Sequence, residues 1–128
     1  GSSHAITDHI RVEVESHYVP ERSEPRIGRW FFAYRIRIAN EGPRTVQLLS
    51  RRWLIIDARG GVEEVAGPGV VGEQPVLEPG EAFEYSSFCP LPTPFGSMEG
   101  SYTMVDDAGV EFEIAVARFT LSEPLKVN

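Results

Sequence analysis

The chain has 128 residues, of which 41% are hydrophobic and 24% are charged, the size and composition of a single globular domain. Its formal net charge of -7 excludes nonspecific nucleic-acid binding and disfavours docking on an anionic membrane, because both need a positive surface. A single cysteine, Cys89, excludes an internal disulfide. With no signal sequence and no apolar run near the ~20 residues of a membrane span, the protein is expected to be cytoplasmic.

The amino terminus is expected to lie outside the folded domain. Gly1-Ser2-Ser3-His4 has the composition of an expression scar, and residues 1–9 are predicted to be disordered. Alternation of apolar and polar residues begins at residues 10–15 and predicts the first strand. The second predicted strand, at residues 30–40, is the strongest, because aromatic residues and isoleucines fill its even positions through residue 38.

Residues 45–57 form a third predicted strand, in which the apolar phase slips. Apolar residues fall on even positions up to Leu48 and on odd positions from Trp53, which predicts a β-bulge or a change of sheet near Ser50-Arg51-Arg52. Further strands are predicted at residues 62–65, 76–77, 83–86, 101–105 and 110–121.

Two runs rich in glycine and proline, at residues 66–74 and 90–100, are predicted to be loops. Seven to eight antiparallel strands without a helix predict an all-β fold, an immunoglobulin-like or fibronectin type III-like β-sandwich. The domain is expected to cover residues 10–122, with residues 123–128 as a flexible tail. Such a sandwich is expected to be a monomer or to form a homodimer through an exposed edge strand.

Four charged residues predict how the first two strands pair. Glu13 and Glu15 lie on the polar face of the first strand, and Arg35 and Arg37 lie on the polar face of the second. Together with Arg51 and Arg52, these arginines could form an anion-binding stripe, but pairing of the two strands would match opposite charges across them. The structural interpretation is therefore favoured.

The sequence shows no assembled catalytic set, so the chain is predicted not to be an enzyme. His4, His9 and His17 all precede the long second strand, and no spacing brings them to Cys89 or to a serine. Cys89 is expected to be a small apolar filler at a strand end. No pair of cysteines or histidines has metal-ligand spacing, so neither a metal site nor a cofactor is expected.

One motif suggests a phosphate ligand. Gly67-Pro68-Gly69-Val70-Val71-Gly72 satisfies the G-x-G-x-x-G pattern of dinucleotide-binding loops. The Rossmann form of that site needs a following helix, and here Glu73-Gln74-Pro75 and a short strand follow instead. A phosphate nest formed by Gly67, Gly69 and Gly72 stays open, beside the alternative of a demanding turn between two strands.

Several sequence blocks in the same order resemble the ApaG family of small bacterial proteins. They are Phe32-Ala33-Tyr34 with Arg37-Ile38, Leu49-Ser50-Arg51-Arg52-Trp53, Gly67-Pro68-Gly69-Val70-Val71-Gly72-Glu73-Gln74-Pro75, Leu77-Glu78-Pro79-Gly80, and Gly96-Ser97-Met98-Glu99-Gly100. The resemblance covers about residues 10–121 and implies a fibronectin type III-like sandwich without catalytic residues. It also implies an association with cobalt and magnesium efflux, a gene neighbourhood of diadenosine tetraphosphate breakdown, and a pyrophosphate-binding role for the glycine-rich loop. Similar domains in eukaryotic F-box proteins and in a DNA-polymerase-interacting protein look like protein-interaction parts.

The leading hypothesis is a non-catalytic protein-interaction module that affects cobalt and magnesium homeostasis through an unidentified protein partner. The expected contact surface comprises the loop at 66–75 and the connection at 89–100, with the residues Val70, Val71, Glu73, Gln74, Leu91, Phe95 and Met98. The apolar residues of the connection could equally close one end of the core. The alternative function is binding of pyrophosphate or a dinucleoside polyphosphate by Gly67, Gly69 and Gly72.

Overall fold

A computed structural model describes residues 1–124 of the chain. The described residues form nine strands: β1 (Ser2–Thr7), β2 (Ile10–Tyr18), β3 (Trp30–Asn40), β4 (Val46–Asp57), β5 (Val62–Pro68), β6 (Val76–Leu77), β7 (Ala82–Leu91), β8 (Phe95–Asp106) and β9 (Glu111–Ser122). Two single-turn 3-10 helices, Pro20–Arg22 and Pro25–Ile27, lie between β2 and β3. Within residues 1–124, no helix is both long enough and apolar enough to cross a membrane.

The strands form two antiparallel sheets, which confirms the predicted all-β sandwich. The four-stranded sheet has the order β1-β2-β3-β7, and the five-stranded sheet has the order β5-β4-β8-β9, with β6 paired to β4. On one side of the sandwich, β1 and β2 reach β9: the Ser3 hydroxyl donates to Ala117 O at 2.7 Å, and the Ser16 hydroxyl donates to Thr120 O at 2.6 Å. On the opposite side, β5 and β7 are edge strands that do not pair with each other.

The core follows from the two-residue repeat of the strands. In β3, Phe32, Ile36 and Ile38 are fully buried, whereas Arg35 and Arg37 between them face solvent. Each fully buried aliphatic or aromatic side chain contributes ~1.5–3 kcal/mol to folding. This alternation explains why the predicted bounds of the second strand match the structure.

The predicted charge pairing between the first two strands is confirmed. Glu13 lies opposite Arg37 and Glu15 lies opposite Arg35 across β2 and β3. The Arg37 Nη1 and Glu13 Oε1 atoms are 3.7 Å apart, and Arg35 Nη2 also approaches Glu84 Oε2 of β7 at 2.6 Å. All of these side chains are exposed, so each pair contributes at most ~1 kcal/mol.

The predicted phase slip in the third strand is also confirmed. The pairing of β4 with β8 shifts register between Leu48 and Ser50, so Leu49 is the extra residue of a bulge. After the bulge, the inward positions are odd: Trp53 and Ile55 are buried, and Arg51 lies opposite the fully buried Tyr102 of β8. The bulge therefore turns Arg51 toward the interior.

The amino terminus differs from the prediction of disorder. Ser2–Thr7 forms β1 and pairs along its whole length with β2. This strand is held by main-chain hydrogen bonds and by hydroxyl contacts to β9, such as the Thr7 Oγ1 that accepts the Ala115 N–H at 3.2 Å, rather than by apolar burial. A search for apolar alternation therefore misses it.

The predicted tail is partly fixed. Glu123 accepts a hydrogen bond from Trp30 Nε1 at 2.8 Å, and its N–H donates to Pro94 O at 2.8 Å. The remainder of the predicted tail, residues 125–128, lies outside the described residues.

Both predicted loops are shorter than expected. The run 66–74 begins inside β5, which extends to Pro68, and most of the run 90–100 belongs to β7 and β8. Only residues 92–94 separate these two strands, where the Thr93 hydroxyl accepts the Ala58 N–H and donates to Phe95 O. Proline and glycine are compatible with strands at edges and close approaches, and this is why composition overestimated both loops.

The two sheets are linked through the core by a pair of tyrosines. The hydroxyls of Tyr85 on β7 and Tyr102 on β8 are 2.5 Å apart, and Tyr102 is fully buried. Burial raises the pKa of both hydroxyls. Each hydroxyl is the hydrogen-bond partner of the other.

We expect Tyr85→Phe to lower the free energy of unfolding by about 1–3 kcal/mol, because the Tyr102 hydroxyl would remain buried without its partner. The double variant Tyr85→Phe/Tyr102→Phe should cost less than the sum of the two single variants, since it leaves no unpaired hydroxyl. Urea unfolding of the four proteins measures the coupling. Additive costs would show that the two hydroxyls do not depend on each other.

Candidate functional site

The glycine-rich loop folds back on itself as a small hairpin beside β4. The Gly69 N–H donates to Leu49 O at 2.8 Å, and this anchors the loop at the bulge. Val70 and Glu73 then exchange two hydrogen bonds, with N···O distances of 2.8 and 2.9 Å. Val71 and Gly72 form the two-residue turn between them, called here the Val71 tip.

Each glycine of the motif has a structural reason. A Cβ on Gly67 would lie 3.1 Å from Arg51 Nη1, so its absence makes room for the guanidinium. Gly69 has a φ of +60°, and a Cβ there would collide with the main-chain carbonyl of Glu73. Gly72 has a φ of +81°, as the second residue of this turn type requires.

Val71 is in a conformation that valine rarely adopts. Its φ is +42°, and the side chain is 55% exposed. A turn with positive φ at both central residues favours Asn-Gly, and a β-branched residue at the first position is an outlier. Residues held in this way cost ~1–3 kcal/mol and concentrate at functional sites.

Arg51 supplies a positive charge beside the loop. Its Nη1 donates to Pro68 O and Gly69 O, both at 3.0 Å. Among residues 1–124, no carboxylate lies within 4.0 Å of Arg51, whereas its neighbour Arg52 faces outward and pairs with Glu64 at 3.0 Å. The guanidinium therefore has capacity for a further acceptor.

Arg51 also acts on the tyrosines behind the loop. Burial raises the pKa of three hydroxyls, and the positive charge of Arg51 opposes each rise; these are Tyr34, Tyr85 and Tyr102. The charge of Arg51 therefore reaches the buried tyrosines of the core.

Three amides of the glycine loop are committed to the protein itself. The N–H groups of Gly69, Val70 and Glu73 all bind main-chain carbonyls. A phosphate nest needs successive N–H groups directed at the ligand. Glu73 is also exposed and adds a negative charge beside the Val71 tip. In this conformation, Arg51 is the clearest anion-binding group at the loop.

The residues predicted as a partner surface divide into two groups. Val70, Leu91 and Met98 are buried in the core, so they cannot contact a partner in this structure. They are core residues because Leu91 and Met98 face inward on β7 and β8, and Val70, at the base of the hairpin, belongs to the core cluster. The exposed group is Val71, Glu73, Gln74 and Phe95.

The exposed residues do not form one continuous surface. The loop is anchored at Leu49, whereas Phe95 begins β8 beside the pairing of Gly96 with Asp57. Leu49 and Asp57 are eight positions apart on β4, which is roughly 26 Å along an extended strand. The loop and the predicted connection are therefore separate surfaces.

Cys89 is the small core residue that the sequence predicts. It is 3% exposed, and burial raises the pKa of its thiol to about 12. Among the described residues, no three histidine, cysteine, aspartate or glutamate side chains cluster as metal ligands would.

The fold and the glycine loop together define a small β-sandwich protein of a known type. The ApaG domain family matches residues 20–106. Protein ApaG from Anaeromyxobacter sp. (strain K) is 56% identical over 126 residues, which cover 98% of this chain and 99% of that protein. Protein ApaG from Rhodospirillum centenum is 55% identical over 119 residues, 93% of this chain and 92% of that protein.

A solved structure also matches this chain. The crystal structure of a Bordetella pertussis protein named ApaA has a TM-score of 0.88 and 49% identity, covering 91% of this chain and 95% of that one. The chain belongs to the ApaG family.

We expect Val71→Asn to raise the free energy of unfolding by about 1 kcal/mol, because asparagine adopts the left-handed conformation that strains valine. Val76→Asn is the matched control, since Val76 is 56% exposed in β6 with an ordinary φ. Urea unfolding compares the two. Equal effects at both positions would show that the tip stores no strain.

Proposed function

We propose that this chain is a non-catalytic protein-interaction module and that the Val71 tip contacts its partner. The observation that carries the proposal is an exposed valine held in a left-handed conformation. Valine stabilises neither the turn nor the core at this position, so its apolar side chain has a use outside the folded domain.

The surroundings of the Val71 tip suit a protein contact. Glu73 and Gln74 are exposed and border the valine with polar groups. A small apolar centre with a polar rim is the common arrangement of protein interfaces. The loop is carried by a rigid sandwich, as binding loops commonly are.

The family resemblance connects this partner to cobalt and magnesium homeostasis in the cytoplasm. In this proposal the chain acts on the process through the partner and supplies no catalytic group. The sandwich provides a fixed scaffold for the contact, and no cofactor is required.

We expect a photo-crosslinking residue at position 71 to capture a partner protein, and the same residue at position 76 not to capture it. The reason is that only Val71 is an exposed valine in a left-handed conformation. Excess unlabelled wild-type protein should compete for the capture, and excess Val71→Asp should not. In a strain lacking the gene, Val71→Asp should fail to restore cobalt tolerance while Val76→Asp restores it. Identical behaviour of the two positions contradicts the proposal.

A second candidate function, binding of pyrophosphate or a dinucleoside polyphosphate, is supported by the position of Arg51. Its guanidinium touches the carbonyls of Pro68 and Gly69 and pairs with no described carboxylate. A phosphate oxygen could bind the remaining N–H groups. The committed amides of the loop weigh against this function, because they cannot form the nest as well.

NMR titration with a diadenosine polyphosphate, with and without magnesium, separates the two functions. We expect no saturable shifts at Gly67, Gly69 and Gly72, because the Gly69, Val70 and Glu73 amides are already bonded within the protein and Glu73 adds a negative charge beside the tip. Saturable shifts that Arg51→Gln abolishes and Arg51→Lys reduces would favour the nucleotide instead.

A further inference from the structure

Strand β7 has a free edge whose hydrogen-bonding phase can be determined. The Phe31 carbonyl accepts the Val19 N–H at 2.8 Å, so the main-chain groups of Phe31 face β2 and not β7. Pro90 lies opposite Phe31 and has no N–H to donate toward β3. By the two-residue repeat, the N–H and C=O groups of Glu84, Ser86 and Phe88 point away from the sheet.

This edge is exposed and unpaired among the described residues. β7 is the last strand of the four-stranded sheet, and among the described residues it pairs with β3 alone. The side chains of Glu84, Ser86 and Phe88 are all exposed on the outer face, and Phe88 is 51% exposed. An edge of this kind is a template for adding another strand.

An arginine is fixed beside the same edge. The guanidinium carbon of Arg22 lies 5.2 Å from the centre of the Phe88 ring and 5.7 Å from that of Phe31. The two rings contact each other, with centroids 5.3 Å apart. Cation–π contacts with both rings hold the guanidinium over the outer face, while its N–H groups stay available to an acceptor.

The charge around the edge favours an acidic ligand. Three arginines and two glutamates give the connection at 19–29 a net charge of +1 in a chain whose net charge is -7. Within residues 1–124, no carboxylate lies within 4.0 Å of Arg22, Arg26 or Arg29. By contrast, Arg35 and Arg37 on the same face are already paired with glutamates.

We propose that an extended acidic peptide segment of a partner protein adds to β7 as a fifth strand of this sheet, with a carboxylate bound to Arg22. A neighbouring strand runs ~4.8 Å from β7, which places a side chain beside Phe88 within reach of the Arg22 guanidinium. The peptide main chain bonds to Ser86 and Phe88, and an apolar side chain covers the Phe88 ring. This inference rests on the proposed function as a protein-interaction module, but it uses a surface distinct from the Val71 tip.

The test is selection of peptides from a library of phage-displayed random dodecamers on the wild-type protein. We expect the selected peptides to be rich in aspartate, glutamate and β-branched residues. On binding of a synthetic selected peptide, the Ser86 and Phe88 amides should gain protection from hydrogen exchange. Arg22→Glu and Ser86→Pro should each weaken binding by roughly tenfold or more, through loss of the carboxylate partner and of an edge N–H.

Matched variants keep the result interpretable. Arg59→Glu makes the same charge change at another exposed arginine without a described carboxylate partner, and it should leave binding unchanged. Arg22→Gln covers the case in which Arg22→Glu does not fold, as judged by circular dichroism and thermal unfolding.

Four results would overturn the inference. The first three are a library that yields no binder, selected peptides without acidic bias, and equal effects of Arg22→Glu and Arg59→Glu on binding. The fourth is a concentration-dependent dimer that Ser86→Pro abolishes, because it would assign the edge to a second copy of the chain. The Val71→Asn variant should bind the selected peptide as the wild-type protein does. If no peptide binds but position 71 still crosslinks to a partner, only this inference is rejected. If a peptide binds but position 71 does not crosslink, only the role of the Val71 tip is rejected.

Discussion

The bulge at Leu49 is the constraint on which the rest of the candidate site depends. One extra residue in β4 reverses which residues face the interior, so Arg51 points toward the core side and Arg52 toward solvent. Arg51 can then donate to Pro68 O and Gly69 O, while the Leu49 carbonyl, left out of the ladder with β8, accepts the Gly69 N–H. The same irregularity therefore supplies these two attachments of the glycine loop to the sheet.

The two open edges of the sandwich are protected to different extents. On β5, the outward positions include Val62 and Glu64, and the charge of Glu64 discourages pairing with another strand. On β7, the charge of Glu84 and the missing N–H of Pro90 protect the two ends of the edge, which leaves Ser86 and Phe88 between them. The opposite side of the sandwich is closed by hydroxyl contacts between β1 and β9. Addition of a strand to β7 would therefore centre on Ser86 and Phe88.

Much of the fold could be predicted from the sequence because apolar alternation records burial directly. The bounds of β3, the slip in β4 and the pairing of Glu13 with Arg37 all follow from that alternation. β1 could not be found, because its stability comes from main-chain and hydroxyl bonds that leave no apolar pattern. For the candidate site, the glycine motif pointed to the right loop, but sequence could not show that Val70 is buried while Val71 is exposed, since adjacent residues differ only through the turn.

The way the loop uses its hydrogen bonds determines what it can recognise. Three of its amides, those of Gly69, Val70 and Glu73, are bonded within the protein and are not available to a ligand. Those bonds also fix the Val71 tip before any partner arrives, which reduces the entropy lost on binding. A strained, pre-ordered valine suits an apolar protein surface, whereas a phosphate nest would lack the Gly69, Val70 and Glu73 amides that the hairpin has already used. The features that make the loop rigid therefore favour a protein partner over a nucleotide.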